Sequence, residues 1–242
     1  MKAPIVEIFA SLQGEGHSIG QPCIFVRFYG CTLRCRFDGE ECDTPYAVYT
    51  EQDKTKMMSS TDIKNEILSI LKKYPNIKRV VFTGGEPTLK QTIMVEASIP
   101  LESTGIKIEV ETNGTIPITE TLNHQLDLFN VSPKLKCSNQ MTPEHERRRI
   151  NWDALLSFPQ NKTVFKFVVD TEEDITEVQE ILKEYTQRTA PVSIPKIMLM
   201  PKGDNREELI KNSPKVVDWC MKHGYRFSPR EHIMIWDKGR GV

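Results

Sequence analysis

The sequence has no uninterrupted apolar run near the ~20 residues that a membrane-spanning helix requires. Its opening stretch, MKAPIVEIFASLQGEG, lacks an apolar core followed by a small-residue cleavage site, so the expected compartment is the cytoplasm. It also lacks a charge bias. Lys and Arg number 32 against 33 Asp and Glu, for a net charge of −1. That excludes a global positive field drawing the chain to nucleic acid or an anionic membrane. Cysteine is too sparse for a disulfide-built fold. Six thiols in 242 residues, without a secretion signal, imply unpaired cysteines in a reducing compartment. There is no internal repeat, low-complexity tract or linker, and a single domain over residues 1–242 is expected. The apolar fraction of 38% and the charged fraction of 27% suit a globular protein with a real core.

The thiols that are present are not scattered evenly. Cys31, Cys35 and Cys42 fall within the stretch GCTLRCRFDGEECDT, from Gly30 to Thr44. Thiolates are soft ligands, and three on one loop suit an iron–sulfur cluster or zinc. Three is odd for a disulfide framework and one short of a closed four-ligand site. An iron without a protein ligand has room to bind a small molecule. Structural zinc needs a fourth ligand, for which His17 or Asp38 is available. The plainest alternative is no metal, with inert buried thiols, which is the expected state of Cys23, Cys137 and Cys220.

Strand and helix patterns alternate along the chain. Short strands are expected at 6–9, 24–29, 79–83, 106–111, 128–131, 163–169 and 196–200, and a closing strand at 232–236. Ser60 or Thr61 caps a helix with Ile63, Ile67, Ile70 and Leu71 inward. Further helices are expected from Pro87 onward, over 172–185 and over 205–223, the last with Leu209, Ile210, Val216, Val217 and Cys220 inward. Residues 46–58 read as irregular. The run EHERRR at 144–149 reads as a solvated face. This alternation points to a parallel sheet with crossovers of one hand. Six strands with fewer, unequal helices suggest an α/β fold, an incomplete, splayed parallel (β/α) barrel. A doubly wound open sheet is the alternative.

Polar segments follow the strand ends. The cysteine loop follows FVRFYG, GGEP follows RVVFT, and ETNG, SPK and MPKG end later strands. In a parallel sheet or barrel those ends share one rim, where ligands bind. Their side chains fit an aminoacyl-nucleoside. Gly84 and Gly85 expose backbone, and Glu86 accepts from an ammonium. Glu111 and Asn113 bond ribose hydroxyls, and Ser132 and Lys134 hold a carboxylate. Each segment alone is ordinary turn chemistry. Arg27, inside a buried strand, needs either a ligand carboxylate or an internal acid. The Gly14 and Gly16 loop, with Gln13 and Glu15, is either a ligand cradle or a solvated turn.

Together these stretches resemble the radical S-adenosylmethionine (SAM) superfamily, and within it the 7-carboxy-7-deazaguanine synthase family. EIFASLQGEG, FVRFYGCTLRC, CDTPYA, FTGGEPTL, VETNGT, VSPK, KFVV, LMPKG and REHIMIW carry the resemblance over nearly the full length. Two features differ. The superfamily spaces its cysteines C-x3-C-x2-C, whereas here the spacing is C-x3-C-x6-C, and Met200 stands where Gln is expected before Pro201.

The resemblance implies a lyase of queuosine and 7-deazapurine biosynthesis. In it, Cys31, Cys35 and Cys42 hold a [4Fe–4S] cluster whose fourth iron is chelated by SAM. Glu41, Cys42, Asp43, Gly85, the Ser132-Pro133-Lys134 turn and the Met200-Pro201 turn lie against SAM. Thr44 supplies a hydroxyl to a Mg²⁺ that also grips the substrate carboxylate. Leu12, Gln13, Gly14 and Glu15 frame a pterin. Arg27 faces its carboxylate, Thr83 and His232 approach it, and the terminal carboxylate of Val242 reaches toward it. Electron transfer to SAM starts hydrogen abstraction from 6-carboxy-5,6,7,8-tetrahydropterin, and ring contraction with loss of ammonia gives 7-carboxy-7-deazaguanine. No acid or base is assigned. A flavodoxin-like reductant and a homodimer are further implications. A non-catalytic zinc-binding interaction protein is the competing reading.

Overall fold

The computed structural model describes residues 1–37, 39–49, 55–138, 142–189, 194–239 and 241. Val242, Asp38 and part of the 46–58 segment lie outside that set. Among the described residues, one sheet is built around parallel strands β2 (Pro22–Phe28), β6 (Arg79–Gly84), β7 (Lys107–Thr112), β8 (Leu128–Val131), β9 (Thr163–Val169), β10 (Lys196–Pro201) and the short β11 (Arg226–Phe227). Two antiparallel strands, β1 (Lys2–Leu12) and β5 (Lys56–Ser59), extend its β2 edge. The six expected parallel strands are therefore present. The first strand is longer than expected, at 11 residues, and β5 emerges from a segment read as irregular.

Strand order runs β11-β10-β9-β8-β7-β6-β2-β1-β5 without reversal along its parallel part. A doubly wound sheet reverses order midway and places helices on both faces. Here crossovers of one hand place the helices on one face. These are α1 (Ser60–Lys73), α2 (Gln91–Ser98), α3 (Glu120–Gln125), α4 (Pro143–Arg149), α5 (Trp152–Ser157), α6 (Glu172–Thr189) and α7 (Arg206–His223). The architecture is a mixed α/β fold of the incomplete barrel type.

The two-residue period of the strands sorts the chemistry. Ile24, Val26 and Phe28 of β2, Val80 and Phe82 of β6, Ile108 and Val110 of β7, and Phe165 and Phe167 of β9 all enter the main core. Each such side chain contributes about 1.5–3 kcal/mol on burial. The alternate positions form the inner face. Cys23, Phe25 and Val81 make a small apolar floor under Phe9, whose ring stacks on Phe25 at 5.3 Å. One step toward the C-terminal strand ends, the same parity delivers Arg27, Thr83, Glu111 and Lys166.

Local signals explain the helix ends. Ser59 and Asp62 form a reciprocal capping box on α1, a feature worth about 1 kcal/mol. Asn205 caps α7, which carries Pro214 inside it and ends on left-handed Gly224. Ile210 and Val217 of α7 are exposed rather than inward, because Leu209, Val216, Trp219 and Cys220 take the buried stripe. Pro87 opens a 3-10 turn (Pro87–Lys90) before α2. The expected closing strand at 232–236 is instead a helix, α8 (Glu231–Trp236), with only Ile233 buried. The short β11 takes the place beside β10.

Candidate functional site

The cysteine loop leaves β2 at Gly30. Its N–H donates to the Ala47 carbonyl at 2.9 Å, and its carbonyl accepts from Glu86 N–H at 2.7 Å. A Cβ on Gly85 would run into the Gly30 carbonyl, so glycine is required where the GGEP turn crosses this loop. Between the second and third cysteines, β3 (Arg36–Phe37) and β4 (Glu40–Glu41) pair as a miniature antiparallel hairpin. Cys42 N–H then donates to the Cys35 carbonyl at 3.2 Å. The enlarged cysteine spacing is absorbed as a side hairpin, and Cys35 and Cys42 return to adjacent positions.

All six cysteines are free thiols. Burial pushes the Cys35 thiol up to about 12, while Lys134 draws it down and Cys31 and Cys42 oppose that pull. Burial likewise raises Cys31 and Cys42, and Lys134 acts on both in the opposite direction. One ammonium thus faces three thiols that feel one another. Among the described residues, no three Cys, His, Asp or Glu side chains converge closely enough to hold a metal ion as they stand. The donor set is nevertheless three unpaired soft ligands beside a cation, which fits an iron–sulfur cluster. His17 is not a fourth ligand. Its backbone bonds Asn130 and its ring meets Arg226 at 3.0 Å.

The SAM-side expectations fall as follows. Ser132 N–H bonds Thr112 O at 2.7 Å, and Lys134 Nζ bonds the Ser132 hydroxyl at 2.9 Å beside Pro133. Met200 and Pro201 are buried at the end of β10. Glu41 is exposed and faces Arg36 at 3.7 Å. Gly84 sits at φ 139 against Phe28 backbone, a position for glycine alone. Asn113 Nδ2 lies 3.0 Å from Thr32 Oγ1 and 3.6 Å from Cys31 Sγ.

Two expectations need correcting. Glu86 does not present a free carboxylate for an ammonium. It is fully buried, and its oxygens accept from Thr88 N–H and Oγ1, Thr112 Oγ1 and Asn113 N–H at 2.6–3.0 Å. It braces the GGEP turn against the ETNG turn. Glu111 does not stand with Asn113. It points to the inner face, accepting from Gln13 Nε2 at 3.0 Å and Thr83 Oγ1 at 2.7 Å.

The loop from Leu12 to Gly16 crosses this inner face. Gln13 is buried, and its Oε1 also accepts from Glu15 N–H at 3.2 Å. Gly14 O accepts from Glu231 N–H at 2.9 Å, and a Cβ there would collide with the His232 ring. Glu15 pairs with Lys166, and with Arg230 Nε at 2.8 Å, while His232 Nε2 lies 3.8 Å away. Burial opposes its ionisation, yet Lys166, Arg230 and His232 together hold its carboxyl well below the usual range. Burial also works against the charge on Lys166, but Glu15 and then Glu111 hold its pKa above the ordinary value. Arg27 pairs with Glu7 at 2.7 Å and lies over the Tyr46 ring, so its internal acid is Glu7. Thr44 starts a short turn (Pro45–Ala47) without spending its hydroxyl on a cap.

The superfamily model for radical SAM proteins matches residues 25–211. The 7-carboxy-7-deazaguanine synthase of Halobacterium salinarum is 35% identical, covering 97% of this chain and 90% of that protein. The synthase of Pyrobaculum aerophilum is 34% identical, covering 98% and 96%. The crystal structure of QueE from Escherichia coli superposes with a TM-score of 0.70 at 25% identity, covering 95% of this chain and 94% of that one. The chain belongs to the 7-carboxy-7-deazaguanine synthase family. It is a radical SAM enzyme of that lyase class. No helix among the described residues is long and apolar enough to cross a membrane.

Three side chains of this synthase-family site escaped the sequence reading. Lys166 lies inside the strand TVFKFVV, and its parity with the inner face was the available signal. Arg230 sits two residues before His232 and carried no pattern. Arg149 is 6% exposed despite its place in the charge run, and it bonds Glu146, Glu177 and the Lys134 carbonyl.

Proposed function

We infer that this chain converts 6-carboxy-5,6,7,8-tetrahydropterin to 7-carboxy-7-deazaguanine with loss of ammonia, using a [4Fe–4S] cluster and SAM. One observation carries the reading: a thiol loop faced by Lys134 stands beside a polar inner face of Gln13, Glu15, Arg27, Thr83 and Glu111. When bound, the cluster and SAM supply one-electron cleavage chemistry that removes a hydrogen atom from the substrate. Cys31, Cys35 and Cys42 would hold the cluster, and Lys134, Ser132, Gly85, Asn113 and the Met200-Pro201 turn would cradle SAM.

Gln13, Glu15 and Glu111 offer an amide and two carboxylates, the partners that a pterin's amide and amine edges require. Arg27 carries the charge suited to the substrate carboxylate, with Thr83 next to it in register. Mg²⁺ on the Thr44 hydroxyl, which hydrogen-bonds the Cys42 sulfur in this structure, would offset the substrate carboxylate. His232, whose pKa burial lowers against the pull of Glu15, offers a ring nitrogen for a proton at the substrate edge. A flavodoxin-like protein is the proposed reductant.

Anaerobic reconstitution with iron and sulfide, followed by incubation with carboxytetrahydropterin, SAM and reductant, tests the assignment. 7-Carboxy-7-deazaguanine and 5′-deoxyadenosine are the expected products. SAM cleavage that is unaffected by the pterin, with no deazaguanine formed, would overturn it.

A further inference from the structure

We propose that Arg230 is the positioning residue that holds the substrate loop and the cluster loop in one geometry, by contacting Glu15, Asp43 and the Gly203 carbonyl at once. This rests on the pterin reading above. The three faces of its guanidinium are spent on three different segments. Nε donates to Glu15 Oε1 at 2.8 Å, NH1 to Gly203 O at 2.6 Å, and NH2 to Asp43. The residue is 7% exposed. Its partners come from the loop after β1, the turn after β10 and the last residues of the cysteine loop.

The placement of those partners makes the contact consequential. Asp43 stands between Cys42 and Thr44, so its position fixes both. Glu15 lies on the loop carrying Gln13, and the residue after Arg230 binds Gly14 O through its N–H. A planar group with five donors in fixed directions can satisfy a carboxylate, a carbonyl and a second carboxylate together. A lysine ammonium at the same place can reach Glu15 but cannot span to Asp43 with the same geometry. Lys166 meanwhile keeps Glu15 paired. Loss of the Arg230 fork therefore removes the tie between the loops rather than the charge on Glu15.

The test uses anaerobically reconstituted protein carrying Arg230→Lys or Asp43→Ala. Pterin binding to the SAM-loaded enzyme is measured by calorimetry, along with the ratio of 5′-deoxyadenosine to deazaguanine, iron content and the urea midpoint. Arg230→Lys is expected to keep its iron, weaken pterin binding roughly tenfold, the loss of one charge-assisted bond, and raise the ratio as cleavage uncouples from turnover. Asp43→Ala is expected to raise the ratio too, and the double variant to be no worse than Arg230→Lys. Asp43→Ala removes the acceptor of the far contact while leaving the buried Arg230–Glu15 pair, so it decides the matter even if Arg230→Lys fails to fold. Wild-type pterin affinity and ratio in Asp43→Ala would overturn the proposal. A wild-type enzyme that neither binds the pterin nor forms deazaguanine would instead sink the functional reading itself.

Discussion

Gln13 donates from Nε2 to Oε1 of Glu111 at 3.0 Å, across 98 residues of sequence. The second oxygen of Glu111 accepts from Thr83 at 2.7 Å. A carboxylate that the strand-end pattern assigns to a ribose is thereby turned toward the inner face, where we propose that the pterin binds. The turn comes from parity: Glu109 and Glu111 share a face of β7, and Val110 between them enters the core.

Glu111→Gln should therefore act on the pterin and not on SAM. It replaces a charged acceptor by an amide beside an amide donor. The expected loss in kcat/KM for the carboxypterin is roughly 10- to 150-fold, the range for a hydrogen bond to a charged group. SAM affinity should hold. Steady-state kinetics with each substrate varied separately measures both, and a selective loss of SAM affinity would contradict the geometry.

Glu15 gives a pH prediction. Its carboxyl lies well below the usual value, so its stabilisation is full above the unfolded pKa, about 4.3. That contribution is lost as pH falls through the depressed folded value. Lys166 is raised; its share is full below about 10.4 and fades only as pH climbs through the raised folded value. Glu15→Gln breaks a buried pair and should cost ~3–5 kcal/mol near neutrality. The gap from wild type should narrow in acid. Urea unfolding at stepped pH measures it, and a gap that stays constant into acid would show that Glu15 is not the ionised member.

The parallel strands were legible because buried strands of a βαβ sheet read as short apolar runs between turn residues. The rim loops were legible because chemistry-bearing residues follow those runs. What failed depended on distant partners. Nothing local distinguishes an antiparallel β1 from a parallel one, and HIMIW fits either period, so its helix was missed. Lys166 and Arg230 are legible as site residues only once Glu15 is placed, 151 and 215 residues away. EHERRR looks uniformly solvated until Arg149 is found turned inward. Cys35 and Cys42 look too far apart until the hairpin between them is seen.

Arg148 and Arg149 are neighbours with opposite fates. Arg148 pairs with Glu144 on the surface, with side chains 57% and 61% exposed. Arg149 is buried, bonds Glu177 at 2.6 Å, and fixes the Lys134 carbonyl at 3.0 Å. Arg148→Ala should change stability by no more than about 0.5 kcal/mol. Arg149→Met leaves Glu177 without its cation and should cost about 3–5 kcal/mol. By releasing the Ser132–Lys134 turn, it should also weaken SAM binding. Equal effects of the two variants in urea unfolding would refute the assignment.

The hairpin between Cys35 and Cys42 offers the sharpest test of the cysteine loop. Arg36 and Phe37 pair with Glu41 and Glu40, and the backbone bond from Cys42 to Cys35 closes beneath them at 3.2 Å. Chain above a closed base adds length without moving its ends, and loop entropy changes little when such a segment is shortened. Removing residues 37–40 leaves Cys35-Arg36-Glu41-Cys42, a C-x2-C unit. That variant should bind iron and sulfide at the wild-type ratio after anaerobic reconstitution. Cys31→Ala, Cys35→Ala and Cys42→Ala should each lose iron, whereas Cys23→Ala and Cys220→Ala, which lie in apolar cores away from the loop, should keep it. Iron and sulfide analysis with visible absorbance decides between these outcomes. A deletion that abolishes iron binding while the fold persists would mean that the hairpin positions the thiols actively. Retention of iron by all three loop variants would remove the cysteines from the site.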